Sequence, residues 1–299
     1  MRKKVVNAGT KLFAILGEPI AHSLSPVIMN EAFDRKNMDC IFLAFRSNPQ
    51  ELDTAIKAMR GFKFSGYVFT MPVKEEAVRH MDALEEEADL IQAVNCAKLD
   101  NGRLIGYNTD SRGFWDAIDK QNTQNRPIRK AFVMGMGGFS RAAIAQLALR
   151  GVKDIVVANK LEEKNYVTSF ELFAERVRKK LPDVNLRYID WVPKQWEREL
   201  ENTDLIANGT ANGMYGKGDL GEIFPYKCVP STAIFFDAVY APLNTPFLEH
   251  AKAKGYMMVD GLELLIHQGL CSFEIWTGIK ADACTMRKDA LKFLQEQVM

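Results

Sequence analysis

Short apolar runs recur along the chain, separated by amphipathic stretches of helical length. In the first part, Leu12–Leu16, Asp39–Phe45 and Ser65–Thr70 read as strands, the first ended by Gly17-Glu18-Pro19. Between them, Val27–Met38, with Pro26 at its first turn, and a segment from about Pro49 to Met59 read as helices. This alternation of strand and helix implies a largely parallel sheet. Asn101-Gly102 then marks a hairpin between strands at Asn95–Leu99 and Arg103–Tyr107, followed by a helix from near Ser111. Further on, strands are expected at Ala131–Met134, Asp154–Ala158, Leu186–Ile189, Asp204–Asn208 and Ala233–Val239, alternating with helices. The basic helix over 162–180 reads as a solvated face, and Leu262–Trp276 as a long apolar helix.

One junction in this pattern carries chemistry. Ala131–Met134 is apolar throughout, as suits a strand buried on both faces; Gly135-Met136-Gly137-Gly138 breaks it, and AAIAQLAL continues as a good helix former. A strand, a glycine turn and a helix form the context in which a G-x-G-x-x pattern binds a pyrophosphate. Gly135 would permit the tight turn, and Gly137 would let backbone approach an anion at the helix N-terminus. The third position is Ser140, small but off the consensus. An ordinary glycine turn after a buried strand stays open on this segment alone.

Composition narrows the classes. The 299 residues suffice for two domains, and 47% hydrophobic with 26% charged residues is ordinary globular content. A net charge of +1 does not point to nucleic acid or an anionic membrane as partner. No secretory leader pattern follows Arg2-Lys3-Lys4, and no apolar run has spanning length, so a cytoplasmic location is expected. Five cysteines without C-x-x-C spacing and four scattered histidines suggest reduced thiols and no metal site.

Candidate polar chemistry lies at the ends of the predicted strands. Ser23 and Ser25 precede a helix, where Ser25 would serve as an N-cap or both hydroxyls would face a polyol. Lys74, just past Pro72, sits at a strand-to-helix transition, a position where open α/β sheets meet ligands but where lysines are mostly solvated. Asp110 would cap the helix near Ser111 or act in catalysis. Asn95, a polar residue in an apolar strand, needs a hydrogen-bond partner or a ligand.

The segments GEPIAHSLSP, GYVFTMPVK, QAVN, GYNTDSRG, GMGGFSRA, NGTANGM, DAVYAPLNTPFL and DGLELLIHQGLCSFEIWTG occur in the order seen in shikimate dehydrogenases. The chain resembles that family over about residues 12–279, with features of its quinate/shikimate dehydrogenase subgroup. The resemblance implies a two-domain α/β enzyme with its active site in the cleft between domains. A mixed or parallel α/β substrate domain would comprise 1–110 and 261–299, the C-terminal helices returning to it. A Rossmann dinucleotide-binding domain would comprise 111–260. The implied reaction is NAD(P)-dependent interconversion of shikimate and 3-dehydroshikimate, or of quinate and 3-dehydroquinate.

Carried over by position, Lys74 and Asp110 become the catalytic pair. Ser23, Ser25, Thr70, Asn95, Gln268 and the cleft tyrosine Tyr240 become substrate-binding residues. The cofactor would meet Gly135, Gly137, Gly138, Phe139, Asn159, Lys160, Glu162, Asn208, Thr210, Met214 and Gly261, with its nicotinamide at the Asn208–Met214 edge. Two positions depart from the family pattern. Val68 stands where the family often has Asn, and Phe42 where the quinate/shikimate subgroup has a substrate-contacting Tyr, which predicts a more apolar pocket.

Cofactor choice is read at the end of the second strand of the dinucleotide domain. There Asn159-Lys160-Leu161-Glu162 replaces the N-R-T of NADP-specific relatives. Glu162 would repel a 2′-phosphate, and Lys160 is a weaker phosphate clamp than a bidentate Arg. NAD preference or use of both NAD and NADP is therefore expected, with a solvated helix start as the other reading of the two charges. The expected partner is a small cyclic hydroxy acid, with a homodimer as the working expectation for assembly. Two other readings remain: a catalytically idle paralogue that senses NAD or a shikimate-like acid, and a same-fold dehydrogenase of another hydroxylated ring acid.

Overall fold

The computed structural model describes residues 6–296 apart from 22 and 216. Two compact units divide the chain: one runs to Thr109 and resumes at Gln268, and the other is Asp110–His267. Both passages between them fall in helices, at the start of α4 (Thr109–Gln121) and inside α10 (Gly261–Thr277). Among the described residues no helix is long and apolar enough to cross a membrane.

The first unit comprises β1 (Lys11–Gly17), α1 (Ser25–Arg35), β2 (Cys40–Arg46), α2 (Leu52–Gly61), β3 (Gly66–Phe69), β4 (Ala83–Leu84), α3 (Glu86–Ile91), β5 (Cys96–Asp100), β6 (Arg103–Tyr107), the end of α10 and α11 (Ala283–Glu296). Its sheet has the order β2-β1-β3-β5-β6-β4. β2, β1 and β3 run parallel, as the β-α-β alternation predicts, and β5 is antiparallel to both β3 and β6. The hairpin turns at Asn101 and Gly102, whose φ values of 48° and 80° suit Asn-Gly. Trp276 of α10 lies over this sheet and donates its indole N–H to Ala97 O at 3.0 Å. A Cβ on Gly66 would come within 2.5 Å of that indole, which is why β3 begins with a glycine.

Several boundaries differ from the sequence reading. α1 starts at Ser25 rather than Val27, so Ser25 lies inside the helix and is not its cap. α4 starts at Thr109, which places Asp110 in the first turn instead of at a cap. Lys74 leads into a short 3-10 turn, Glu76–His80, and not into an α-helix. Phe42, expected to line a pocket, is 1% exposed and packs 5.9 Å from the Trp276 ring. It is core, and the predicted apolar pocket wall does not come from it.

The second unit has the strands β7 (Lys130–Met134), β8 (Asp154–Asn159), β9 (Asn185–Asp190), β10 (Leu205–Asn208), β11 (Ile234–Asp237) and β12 (Met257–Val259). They are interleaved with α5 (Gly138–Leu149), α6 (Lys164–Lys180), α7 (Pro193–Leu200), α8 (Leu220–Ile223) and α9 (Pro246–Ala253). The sheet is parallel throughout, in the order β12-β11-β10-β7-β8-β9. The chain winds outward from β7 through β8 to β9, then crosses back to β10, creating a switch point between β7 and β10. The four apolar residues of β7 are fully buried, as expected for a strand covered on both faces. α6 buries Phe170, Phe173, Ala174 and Val177 at helical spacing and turns its basic residues outward.

β11 ends in a carboxylate, Asp237, which is fully buried. Burial pushes this acid up to about 7, against the pull of hydrogen bonds from Thr245, the Val239 N–H and Asn208. The folded chain therefore holds this proton up to about pH 7, whereas the unfolded chain releases it near 3.8. Stability from this group is complete below pH 4 and is lost as pH rises through about 7. Comparison of the wild type with Asp237→Asn by urea denaturation at pH 4.5 to 8 isolates the effect. The wild type should lose stability relative to the variant as pH rises, by at most about 4 kcal/mol. A difference independent of pH would contradict the account.

Candidate active site

In the first unit, candidate residues cluster at the carboxyl ends of β1 and β3. The two ends are tied by hydrogen bonds from Thr70 N to Leu16 O and from Glu18 N to Met71 O, each 2.9 Å. The approach is close: a Cβ on Gly17 would lie 2.3 Å from Thr70 Cγ2. Thr70 O in turn accepts from Val73 N at 2.9 Å, and Lys74 O from Val94 N at 2.9 Å, so the TMPVK turn is fixed at both ends. Lys74 itself is half-buried. Ser23 Oγ accepts from Ser25 N at 3.3 Å, and Ser25 is 5% exposed.

Asn95 has found its partner. Its Oδ1 accepts from Thr109 N at 2.6 Å and from the Thr109 hydroxyl at 3.2 Å, capping α4 from the residue just before β5, which starts at Cys96 and not at Asn95. The Thr109 hydroxyl is 3.1 Å from that of Ser272, which donates to Gln268 O at 3.0 Å. Asn95, Thr109, Ser272 and Gln268 are all nine-tenths buried. Gln268, which local sequence alone would place on a surface, is therefore inside, and this network fixes the residue just before Asp110. One residue beyond it, Ser111 donates to Gln146 Oε1 at 2.9 Å and holds α4 to α5 within the second unit.

The second unit presents the dinucleotide candidates at its switch point. Gly135 has φ +100°, and a Cβ there would meet Thr210 Cγ2 at 2.9 Å and Ser140 Oγ at 3.1 Å. Gly209 is equally confined, its Cβ position 2.2 Å from Ser140 Oγ. Ser140 is thus small because two loops pack on it. At Gly137 and Gly138 the situation reverses: a Cβ would find no atom within 4 Å. The N-terminus of α5 has no side-chain cap on its leading N–H groups. These residues fit a dinucleotide pyrophosphate. The Phe139 ring stacks on that of Phe236 at 5.7 Å.

Asn208, expected to touch the cofactor, has its side chain engaged within the protein. Nδ2 donates to Asp237 Oδ1 and Asn212 O, and Oδ1 accepts from Thr210 N and its hydroxyl. Met214, 44% exposed, closes this loop with a hydrogen bond from its N–H to Ala211 O. Tyr240 is half-buried just past β11, and burial raises its phenol. Gly261 opens α10 against the backbone of Val239, where a Cβ would lie 2.5 Å from its carbonyl.

At the end of β8, Asn159 Nδ2 donates to Lys160 O at 3.1 Å, while Lys160, Glu162 and Glu163 are exposed. Asp190 of β9 accepts from Leu161 N at 3.1 Å and adds a third carboxylate to this edge. Sequence reading missed Asp190, Asp237 and Thr245. A carboxylate ending a buried apolar strand, as in IFFD, was the available signal for Asp237. Among the described residues no group of three or more His, Cys, Asp or Glu could hold a metal ion.

Comparison with known proteins agrees with this layout. Residues 15–97 match the family described as Shikimate dehydrogenase substrate binding domain, and residues 261–291 the Shikimate 5'-dehydrogenase C-terminal domain. Shikimate dehydrogenase (NADP(+)) of Alkaliphilus oremlandii is 33% identical over 92% of this chain and 94% of its own length. The crystal structure of shikimate 5-dehydrogenase from Listeria monocytogenes, in complex with shikimate and NAD, superposes with a TM-score of 0.89 at 29% identity, covering 96% of this chain and 98% of that one. The Thermus thermophilus enzyme, in complex with NADP(H) and shikimate, gives 0.79 at 31% identity, covering 94% and 99%. With its glycine turn at the switch point and similarity over nearly its whole length, the chain belongs to the shikimate dehydrogenase family.

Proposed function

We propose that this protein interconverts shikimate and 3-dehydroshikimate, with quinate and 3-dehydroquinate as the alternative pair. The observation that carries this reading is the near full-length similarity to shikimate dehydrogenases; Lys74 and Asp110 stand where the family resemblance puts a catalytic pair. A nicotinamide dinucleotide, when bound, supplies hydride acceptance and return. The chain's own residues must bind, orient and move one proton. Lys74 takes the proton released as the ring hydroxyl becomes a carbonyl and gives it back in the reverse direction. Asp110 orients the reacting hydroxyl through a charge-assisted hydrogen bond. Ser23, Ser25, Thr70, Asn95, Gln268 and Tyr240 fix the ring and its carboxylate, a positioning effect that can be worth several kcal/mol. Lys74→Ala should retain NAD binding by calorimetry and lose turnover by about two decades or more. Unchanged turnover would remove Lys74 from catalysis, and a wild type that binds but never turns over would favour a sensor.

For the cofactor we propose NAD in preference to NADP. Glu162, Glu163 and Asp190 place three carboxylates beside the end of β8, against the cations Lys160 and Lys164. Their field disfavours a 2′-phosphate, and neither lysine offers the bidentate fork of an arginine. Glu162→Gln should raise kcat/KM for NADP about tenfold and leave that for NAD within about threefold. Equal effects on both cofactors would show that Glu162 does not sense the 2′ position.

A further inference from the structure

The loop after β10 and the buried acid of β11 form one unit of hydrogen bonding. Asp237 Oδ1 accepts from Asn208 Nδ2 at 2.9 Å and from Val239 N at 3.0 Å, and Oδ2 accepts from the Thr245 hydroxyl at 2.6 Å. Asn208 passes the constraint forward, holding Thr210 through Oδ1 and Asn212 O through Nδ2. Thr210 Oγ then accepts from Asn212 N and Nδ2. Thr245 packs on the far end of the same loop, since a Cβ on Gly213 would lie 3.2 Å from Thr245 Cγ2 and 3.9 Å from Asp237 Oδ2.

We propose that Asp237 and Thr245 are positioning residues that hold loop 208–214 in the form that receives the nicotinamide end of the cofactor. The inference rests on the dehydrogenase reading above and adds the residues that shape one half of its cofactor site. Its physical basis is a division of labour at the switch point. The Gly135–Gly138 turn and the start of α5 offer N–H groups to the pyrophosphate, while the loop after β10 lies on the other side of β7. That loop has glycines at 209 and 213, the latter at φ +97°; beyond Gly209, whose N–H donates to Met134 O, its backbone hydrogen bonds are short-range. Without an anchor it would have several accessible conformations. The anchor is a buried acceptor with three donors, none of which has water to fall back on.

Two near-isosteric variants test this: Asp237→Asn, which replaces the Oδ2 acceptor by a donor facing Thr245, and Thr245→Val, which removes the hydroxyl. Affinities for NADH and for ADP-ribose, which lacks the nicotinamide, are measured by calorimetry on the full chain at about pH 8, where Asp237 is ionised and accepts from all three donors. Each variant should bind NADH about tenfold more weakly and ADP-ribose within about twofold of wild type. Equal losses for both ligands would assign the pair to general folding and overturn the proposal, as would unchanged NADH binding in both variants. If Asp237→Asn does not fold, Thr245→Val decides alone. A wild type that binds neither ligand would instead contradict the dehydrogenase reading itself.

Discussion

Two loop backbones meet at the carboxyl ends of β7 and β10, and they meet with no room for a side chain at either glycine. Gly135 and Gly209 both press on Ser140, and this one contact sets much of the second unit's upper face. It fixes Ser140 as a small residue, turns the chain into α5 at the angle that leaves Gly137 and Gly138 open, and seats Thr210 against the turn. A larger residue at 140 would separate the loops and move the start of α5 together with loop 208–214. The off-consensus serine is thus a packing solution, not a loss of the motif.

The elements were readable from sequence wherever a local physical rule decides them. The apolar run of β7, the Asn-Gly hairpin and the helical spacing of α6 all declare themselves within one short window. Boundaries were less readable because tertiary partners set them. α4 begins at Thr109 because Asn95, just before β5, accepts its first N–H; nothing local to TDSRG encodes that. α1 begins at Ser25 without any side-chain cap, so a rule based on capping serines misplaces its start. Phe42 illustrates the same limit, since only Trp276, far along the chain, makes it core.

The candidate site divides in the same manner. The glycine turn was legible because strand, turn and helix are contiguous. Lys74 and Asp110 were candidates by position at element ends, with solvation and capping as the competing readings, and Gln268 carried weight only through family resemblance. Asp237 and Thr245 were not read at all: IFFD marks a strand ending in an acid, but nothing in the sequence pairs that acid with a threonine eight residues on until the fold buries both. What unites these cases is that polar groups at strand ends are satisfied by one another. The Asn95–Thr109–Ser272–Gln268 chain does this in the first unit, and Asn208, Asp237 and Thr245 do it in the second. Such networks keep backbone ends in single conformations, and a dehydrogenase needs that rigidity where a ring must be held for a hydride to move.

The central proposal is that this chain is an active dehydrogenase of a hydroxylated cyclohexene or cyclohexane carboxylate with a preference for NAD. Steady-state kcat/KM for the four pairs of shikimate or quinate with NAD or NADP tests it most directly. The account expects measurable reduction with shikimate or quinate and a higher value with NAD than with NADP for the better acid. Absence of reduction for all four pairs, in protein that still binds cofactor, would contradict it.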